Sequence, residues 1–263
     1  MRFIDSHLHT NLIDDGKLQG LVMAGMDAAV IPMLHTIQGL FQADATLRLW
    51  EQFLDFEVKR AATLGYEAFV SLSVPMYGMS PAANEECLKK LPEYLKHERV
   101  VAMGEMGLDA GDEAEKELFR AQLRIAKDHN LPVIMHTPIR LAPHGPDVIR
   151  QVVDIIKEES FDISRVILDH SGESTFDYRI STGAMVGLSV CMDKMPPEVA
   201  ANYVFNNPDK RDRLLVNTEV AGGEGYFTIP MVCLAMKRLG MKHDEIERVV
   251  YENPKKFFNL PID

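Results

Sequence analysis

Apolar and β-branched residues gather into eight short runs along the chain: RFIDSHLH (2–9), AAVIPML (28–34), EAFVSLSV (67–74), VVAMGEMGL (100–108), PVIMHTP (132–138), RVILDHSG (165–172), AMVGLSVC (184–191) and LLVNTEV (214–220). Between most of them the apolar period changes from that of a strand to that of a helix. In EKELFRAQLRIAKDH (115–129), Leu118, Leu123, Ile125 and Ala126 recur at helical intervals, and NLP ends the segment before the next run. LRLWEQFLDFEVKRAATLG (47–65) offers Trp50 as an apolar anchor and closes on Gly65, a residue free to take the left-handed conformation after a last turn. DVIRQVVDIIKEE (147–159) repeats the pattern.

Eight strands alternating with helices in 263 residues predict an α/β fold, a single-domain (β/α)8 TIM barrel over 1–263. An open doubly wound sheet shares the strand count and is the alternative. No stretch has the composition of a linker. MPPEVAANYVFNNPDKRDR (195–213) is rich in proline but keeps helix-like apolar positions. ENPKKFF (252–258) predicts a last helix, with Asn253 as its cap, Pro254 at its first position and two phenylalanines closing the barrel base.

Hydrophobic residues make up 46% and charged residues 25%, the balance of a globular chain rather than a disordered one. No apolar run approaches the ~20 residues that span a bilayer, and no signal-peptide pattern precedes the first strand. Cys87, Cys191 and Cys233 are widely spaced without a CxxC pair, which predicts buried thiols in a reducing, cytoplasmic setting. The net charge of −11 disfavours non-specific binding to nucleic acid. Bound divalent cations would reverse that locally. The acidic run Asp112–Glu117 reads as a solvated helix start.

In a barrel of this kind, chemistry collects at the C-terminal ends of the strands. Those ends carry His7 and His9, His35, Glu105, His136, His170 and Glu219. Alternation puts His7 and His9 on one face, so both imidazoles look at one point. Taken singly, His136 reads as a hydrogen-bonded core histidine and Glu105 as a salt-bridge partner. Their coincidence at several strand ends points instead to one or two divalent ions held by imidazole and carboxylate, with positions left open for water.

The stretches DSHLH (5–9), GEMGLD (104–109), LFRAQLRIAKDHNLPVIMHT (118–137), DHSG (169–172), LLVNTE (214–219) and ENPKKFFNL (252–260) resemble, in order and nearly end to end, the TatD-like metal-dependent hydrolases of the amidohydrolase superfamily. By that resemblance His7 and His9 bind a first metal, Glu105 bridges two, and His136 and His170 hold the second. Glu219, ending strand 8, touches the first metal and acts as general base toward the hydroxide that the two cations generate. Asp5 and Asn217 are candidates for orienting the ligands. Asp169 is a weaker candidate for the same role, because alternation places it on the face opposite His170.

Three departures bear on the substrate. Glu219 stands where the family usually has Asp, adding ~1.5 Å of reach. The segment after GEMGLD, AGDEAEKE (110–117), is short where the family commonly carries a longer loop with aromatic and basic residues. HTPIR (136–140) replaces the family's HTR, and Arg140, three residues after Thr137, is the candidate substitute for that arginine. Candidate substrate contacts are His35, Arg140 and Lys194, with Arg179, His144, Tyr77 and the GGEG loop (222–225) as weaker ones. The ligand set suits Zn²⁺, Mn²⁺, Co²⁺ or Fe²⁺, and Mg²⁺ less well. The expectation is a two-metal hydrolase of phosphoesters, DNase-like by resemblance, taking a small molecule or nucleic acid and no membrane. An amide or lactone hydrolase is the second reading, and a non-catalytic binding barrel, marked by eroded ligands, is the third.

Overall fold

The computed structural model describes residues 1–34, 42–76, 78–138, 145–191, 194–220 and 227–262. Eight parallel strands form one sheet in sequence order: β1 Phe3–Asp5, β2 Met26–Pro32, β3 Glu67–Leu72, β4 Val100–Gly107, β5 Val133–His136, β6 Val166–Leu168, β7 Met185–Ser189 and β8 Leu214–Asn217. Just beyond β1 and β8 the barrel is drawn together. Glu219 N–H donates to the His7 carbonyl (2.9 Å) and His9 N–H to that of Val220 (3.3 Å). The predicted (β/α)8 barrel is what the chain forms; the open sheet is not.

Helices α1 (Asp15–Met23), α2 (Ala43–Glu51), α3 (Val58–Leu64), α4 (Pro81–Tyr94), α5 (Glu113–Asp128), α6 (Gly145–Glu158), α7 (Phe176–Ser181), α8 (Pro197–Asn206), α9 (Thr228–Arg238), α10 (His243–Glu247) and α11 (Asn253–Phe258) follow in chain order. The acidic run does start α5, and Asp112 caps it, its side chain accepting from Glu115 N–H, but Glu115 is buried rather than solvated. Gly65 ends α3 at φ 92°. Trp50 is fully buried and donates through Nε1 to the Ser73 carbonyl at 3.1 Å. No helix among the described residues is long and apolar enough to cross a membrane.

Two cores result. Outward-facing strand residues pack on the helices, while Ile4, Val30, Phe69, Ala102, Ile134, Ile167, Met185 and Leu215 fill the barrel interior, closed below by Tyr251, Phe258 and Leu260. Phe257 and Phe258 do close the base, in edge-to-face contact. Asn253 does not cap α11. Its amide donates to the carbonyls of Arg211 (2.7 Å) and Leu214 (2.6 Å), tying the last helix to the start of β8.

Candidate metal centre

Above the apolar layers the interior turns polar, and of the strands that supply its side chains all but β5 leave their regular course to do so. β1 ends at Asp5, and the chain bends through Ser6 and His7. Beyond the bend, Leu8 points to the outer core and His7 and His9 turn inward together. Their Nε2 atoms lie 3.1 Å apart, so the shared face expected from spacing is present, though in a bend rather than in β1.

β4 uses a bulge. Its register against β5 runs Met103 to Val133 and then Met106 to Met135, three residues against two. Both methionines face the outer core, so the extra residue resets the alternation and lets Glu105 point inward. Gly104 makes this possible: at φ 148°, a Cβ there would stand 2.5 Å from the Ile134 carbonyl oxygen. β5 stays regular, and His136 lies two residues beyond inward-facing Ile134.

β6 corrects the sequence reading. The strand stops at Leu168, so Asp169 continues the inward phase of Ile167, and His170 joins it by taking the left-handed conformation at φ 60°. Both side chains therefore enter the site. Glu219 makes the same kind of turn beyond β8, at φ 51°.

The imidazoles and carboxylates converge around Glu105. Its Oε1 is 3.1 Å from His136 Nδ1 and 3.1 Å from His170 Nε2; its Oε2 is 3.6 Å from His7 Nε2. Glu219 Oε1 lies 3.1 Å from His170 Nε2 and also pairs with the Lys194 ammonium. The strand-8 carboxylate is thus recorded beside His170, whereas the resemblance puts it with His7 and His9. His136 Nε2 faces Asp109 Oδ1 at 3.6 Å.

The donor chemistry fits a cation. His7 Nδ1 bonds Asp169 Oδ2 at 2.7 Å, and His170 Nδ1 donates to the Thr137 carbonyl at 2.8 Å. Each ring thereby turns its Nε2 inward, that of His7 toward Glu105 and His9 and that of His170 toward Glu105 and Glu219. Among the described residues His170 Nε2, His9 Nδ1 and Glu219 Oε2 are buried without a hydrogen bond. His7, Glu105 and His170 each offer a ligand atom within 4.8 Å of the others. Such a set is costly to bury unless a positive charge lies among it.

Protonation follows the same charges. Burial works against the His7 cation, but Glu105 and Asp169 prevail and lift its pKa to about 9. Burial, with His7 nearby, drives His9 down to about 3. Burial and the Lys194 charge lower His170 to about 4, leaving it neutral as a metal ligand must be. Burial also opposes ionisation of Glu105 and of Asp169. The imidazoles around them outweigh it, and both remain well below the usual carboxylate range.

Other expected residues find different work. Asp5 touches no ring; its carboxylate accepts from the N–H groups of His7 and Thr218 (both 3.2 Å) and from Thr218 Oγ1 (2.5 Å), fastening β1 to the end of β8. Asn217 Nδ2 donates to Asp169 Oδ1 at 2.9 Å, so it supports His7 through Asp169. Arg179 is no anion contact, because it is fully buried and bonded to main-chain and threonine oxygens. His35, Arg140, His144, Tyr77 and Gly222–Gly225 lie outside the described residues. Cys87 is buried, Cys191 and Cys233 half-buried, and all three remain thiols.

Besides Thr137 and Ser189, which bond His170 and Asp169, two contributors escaped the sequence reading. Gly187 clears the space under Asp169: a Cβ there would come within 2.0 Å of Oδ1. Glu115 accepts from the N–H groups of Asp109, Ala110 and Gly111 (3.0, 3.3 and 2.7 Å), holding the short loop that carries Asp109. The inward phase of Met185, Gly187 and Ser189 was a usable signal for the first; the second left none.

Known proteins share the sequence pattern and the fold. The family model described as TatD related DNase matches residues 4–259. An uncharacterized metal-dependent hydrolase of Methanocaldococcus jannaschii is 32% identical over 259 residues, covering 98% of this chain and all of the relative. The solved TatD-like protein of Archaeoglobus fulgidus superposes with a TM-score of 0.79 at 22% identity, over 98% of this chain and 100% of that one. The phosphotriesterase homology protein of Escherichia coli, solved with phosphate in its active site, gives 0.74 at 14% identity over 98% of each.

Proposed function

The chain belongs to the TatD-related DNase family of metal-dependent hydrolases, and on that premise we propose that it cleaves phosphoester bonds at a centre of two divalent cations. The observation that carries the two-cation reading is the orientation of Glu105, one oxygen toward His136 and His170 and the other toward His7. His7 and His9 would hold one ion, His136 and His170 the other, with Glu105 between them. When bound, the cations bring the pKa of water to about 7 and polarise the ester oxygen.

The protein's own groups do the rest. Asp169 and the Thr137 carbonyl fix the rings of His7 and His170 with Nε2 directed inward. Glu219 takes the proton of the attacking water at Oε2, the buried oxygen that carries no hydrogen bond among the described residues, and passes it to the leaving group. Lys194, paired with Glu219, offers positive charge to the phosphoryl oxygens. Support for a phosphoester comes from the family's description and from the phosphate in the active site of the Escherichia coli protein that shares the fold.

The test is turnover by protein loaded with Zn²⁺, Mn²⁺ or Co²⁺ on an aryl phosphodiester, an oligonucleotide and an aryl lactone. Phosphodiester hydrolysis lost in Glu219→Gln supports the proposal. Lactone hydrolysis without phosphodiester turnover transfers the chain to the amide and lactone hydrolases. Metal uptake with no turnover at all favours the binding barrel.

A further inference from the structure

We propose that Arg179 is a positioning residue for the His170 side of the centre, clamping the turn that carries this imidazole inward. The inference rests on the metal-centre reading above. It starts from a local conflict: after β6, alternation would send His170 outward, and only the left-handed conformation at φ 60° brings it into the site. A residue with a Cβ crowds its own carbonyl in that conformation and seldom adopts it. Something outside the turn has to hold it.

Arg179, on α7, is in contact with both peptide groups that define the backbone angles of His170. Its Nη1 donates to the Asp169 carbonyl at 2.7 Å, and its Nη2 to the His170 carbonyl at 3.3 Å. Nη2 also donates to Thr137 Oγ1 at 2.8 Å, and Nε to Thr175 Oγ1 at 3.0 Å. Thr137 completes the ring of contacts. Its hydroxyl donates to the Asp169 carbonyl (2.7 Å), and its own carbonyl receives His170 Nδ1–H (2.8 Å). One planar fork thus fixes the peptides on either side of His170 and the threonine that orients its ring.

The guanidinium is fully buried, and no carboxylate lies within ion-pair distance of it among the described residues. Burying such a charge on main-chain and hydroxyl oxygens alone is expensive, so its worth lies in the geometry it imposes. A lysine ammonium is a point charge and cannot span the same acceptors with planar donors.

The test combines a crystal structure and a Co²⁺ titration of Arg179→Gln, with Arg179→Lys and His170→Ala alongside. In Arg179→Gln, His170 is expected to leave the left-handed region and its Nδ1 to part from the Thr137 carbonyl. One of the two Co²⁺ steps then weakens about 10–100-fold, the same step that His170→Ala removes, while the other keeps its wild-type constant. Arg179→Lys falls between, and carries the test if the glutamine variant does not fold. A His170 turn that survives in the variant overturns the proposal. So does a lost turn that leaves both steps unchanged or weakens them equally, as a merely structural role would. If the wild type takes up a single Co²⁺, the two-ion reading fails and the clamp is judged by the turn alone.

Discussion

The two ends of the barrel interior are built by opposite rules. At the base, Ile4, Val30, Phe69, Ile134, Ile167 and Leu215 follow strict alternation and meet the plug of Tyr251, Phe258 and Leu260. At the top, His136 still follows the pleat of β5, but the other residues that gather around Glu105 arrive through a bend at Ser6, a bulge at Gly104 and left-handed turns at His170 and Glu219. A regular strand presents every second residue to the interior and cannot aim two consecutive side chains at one point. Asp169 and His170 both reach the site because the strand has already ended. Regularity here makes the core; the departures from it make the chemistry.

Substitutions can separate the two ends. The largest effect is expected at Glu105. Glu105→Ala removes the group shared by both sets of imidazoles, so metal content by elemental analysis falls to one ion per chain or fewer, and hydrolysis falls to background. Next comes the base: Phe258→Ala opens the plug and costs about 3–5 kcal/mol of stability. Denaturant unfolding would show that loss, while metal affinity of the folded protein stays at the wild-type value. A matching loss of metal affinity would mean that the two ends are coupled.

Gly187→Ala tests the boundary between them. Its methyl group would force Asp169 off His7, and metal affinity should fall about 10–100-fold with a smaller loss of stability than at Phe258. The smallest effect is at Cys87, buried in the outer core, where burial pushes the thiol up to about 11. In native protein at pH 8 it should resist alkylation, and react once denaturant exposes it.

The same division explains what the sequence made legible. The barrel, the helix starts and the apolar base follow from period and composition, which act through neighbours in the chain. His7, His9, Glu105, His136 and His170 were legible because their residue types are chemically distinctive and recur at strand ends. Asp169 was a candidate for orienting a ligand and does orient His7, but the expected opposition of Asp169 and His170 failed because His170 turns left-handed beyond the end of β6, a choice made by tertiary packing. Arg179 read as a free cation because nothing in the order of residues tells that its fork closes on carbonyls of another loop. Asp5 was expected to orient a ligand ring and instead bonds Thr218, which is 213 residues away and becomes a neighbour only in the closed barrel.

That separation has a consequence for how the molecule is made. Asp5 and Thr218 meet beside His7 and Glu219, so the seam that completes the centre joins the earliest-synthesised strand to the latest. At the usual pace of translation the interval between those two residues is about 10–40 s. Throughout that time the histidines emerging first have no strand-8 partner, and a nascent chain holds an unfinished coordination sphere. Assembly of the full candidate centre is therefore a late event, coming after the ribosome has delivered β8.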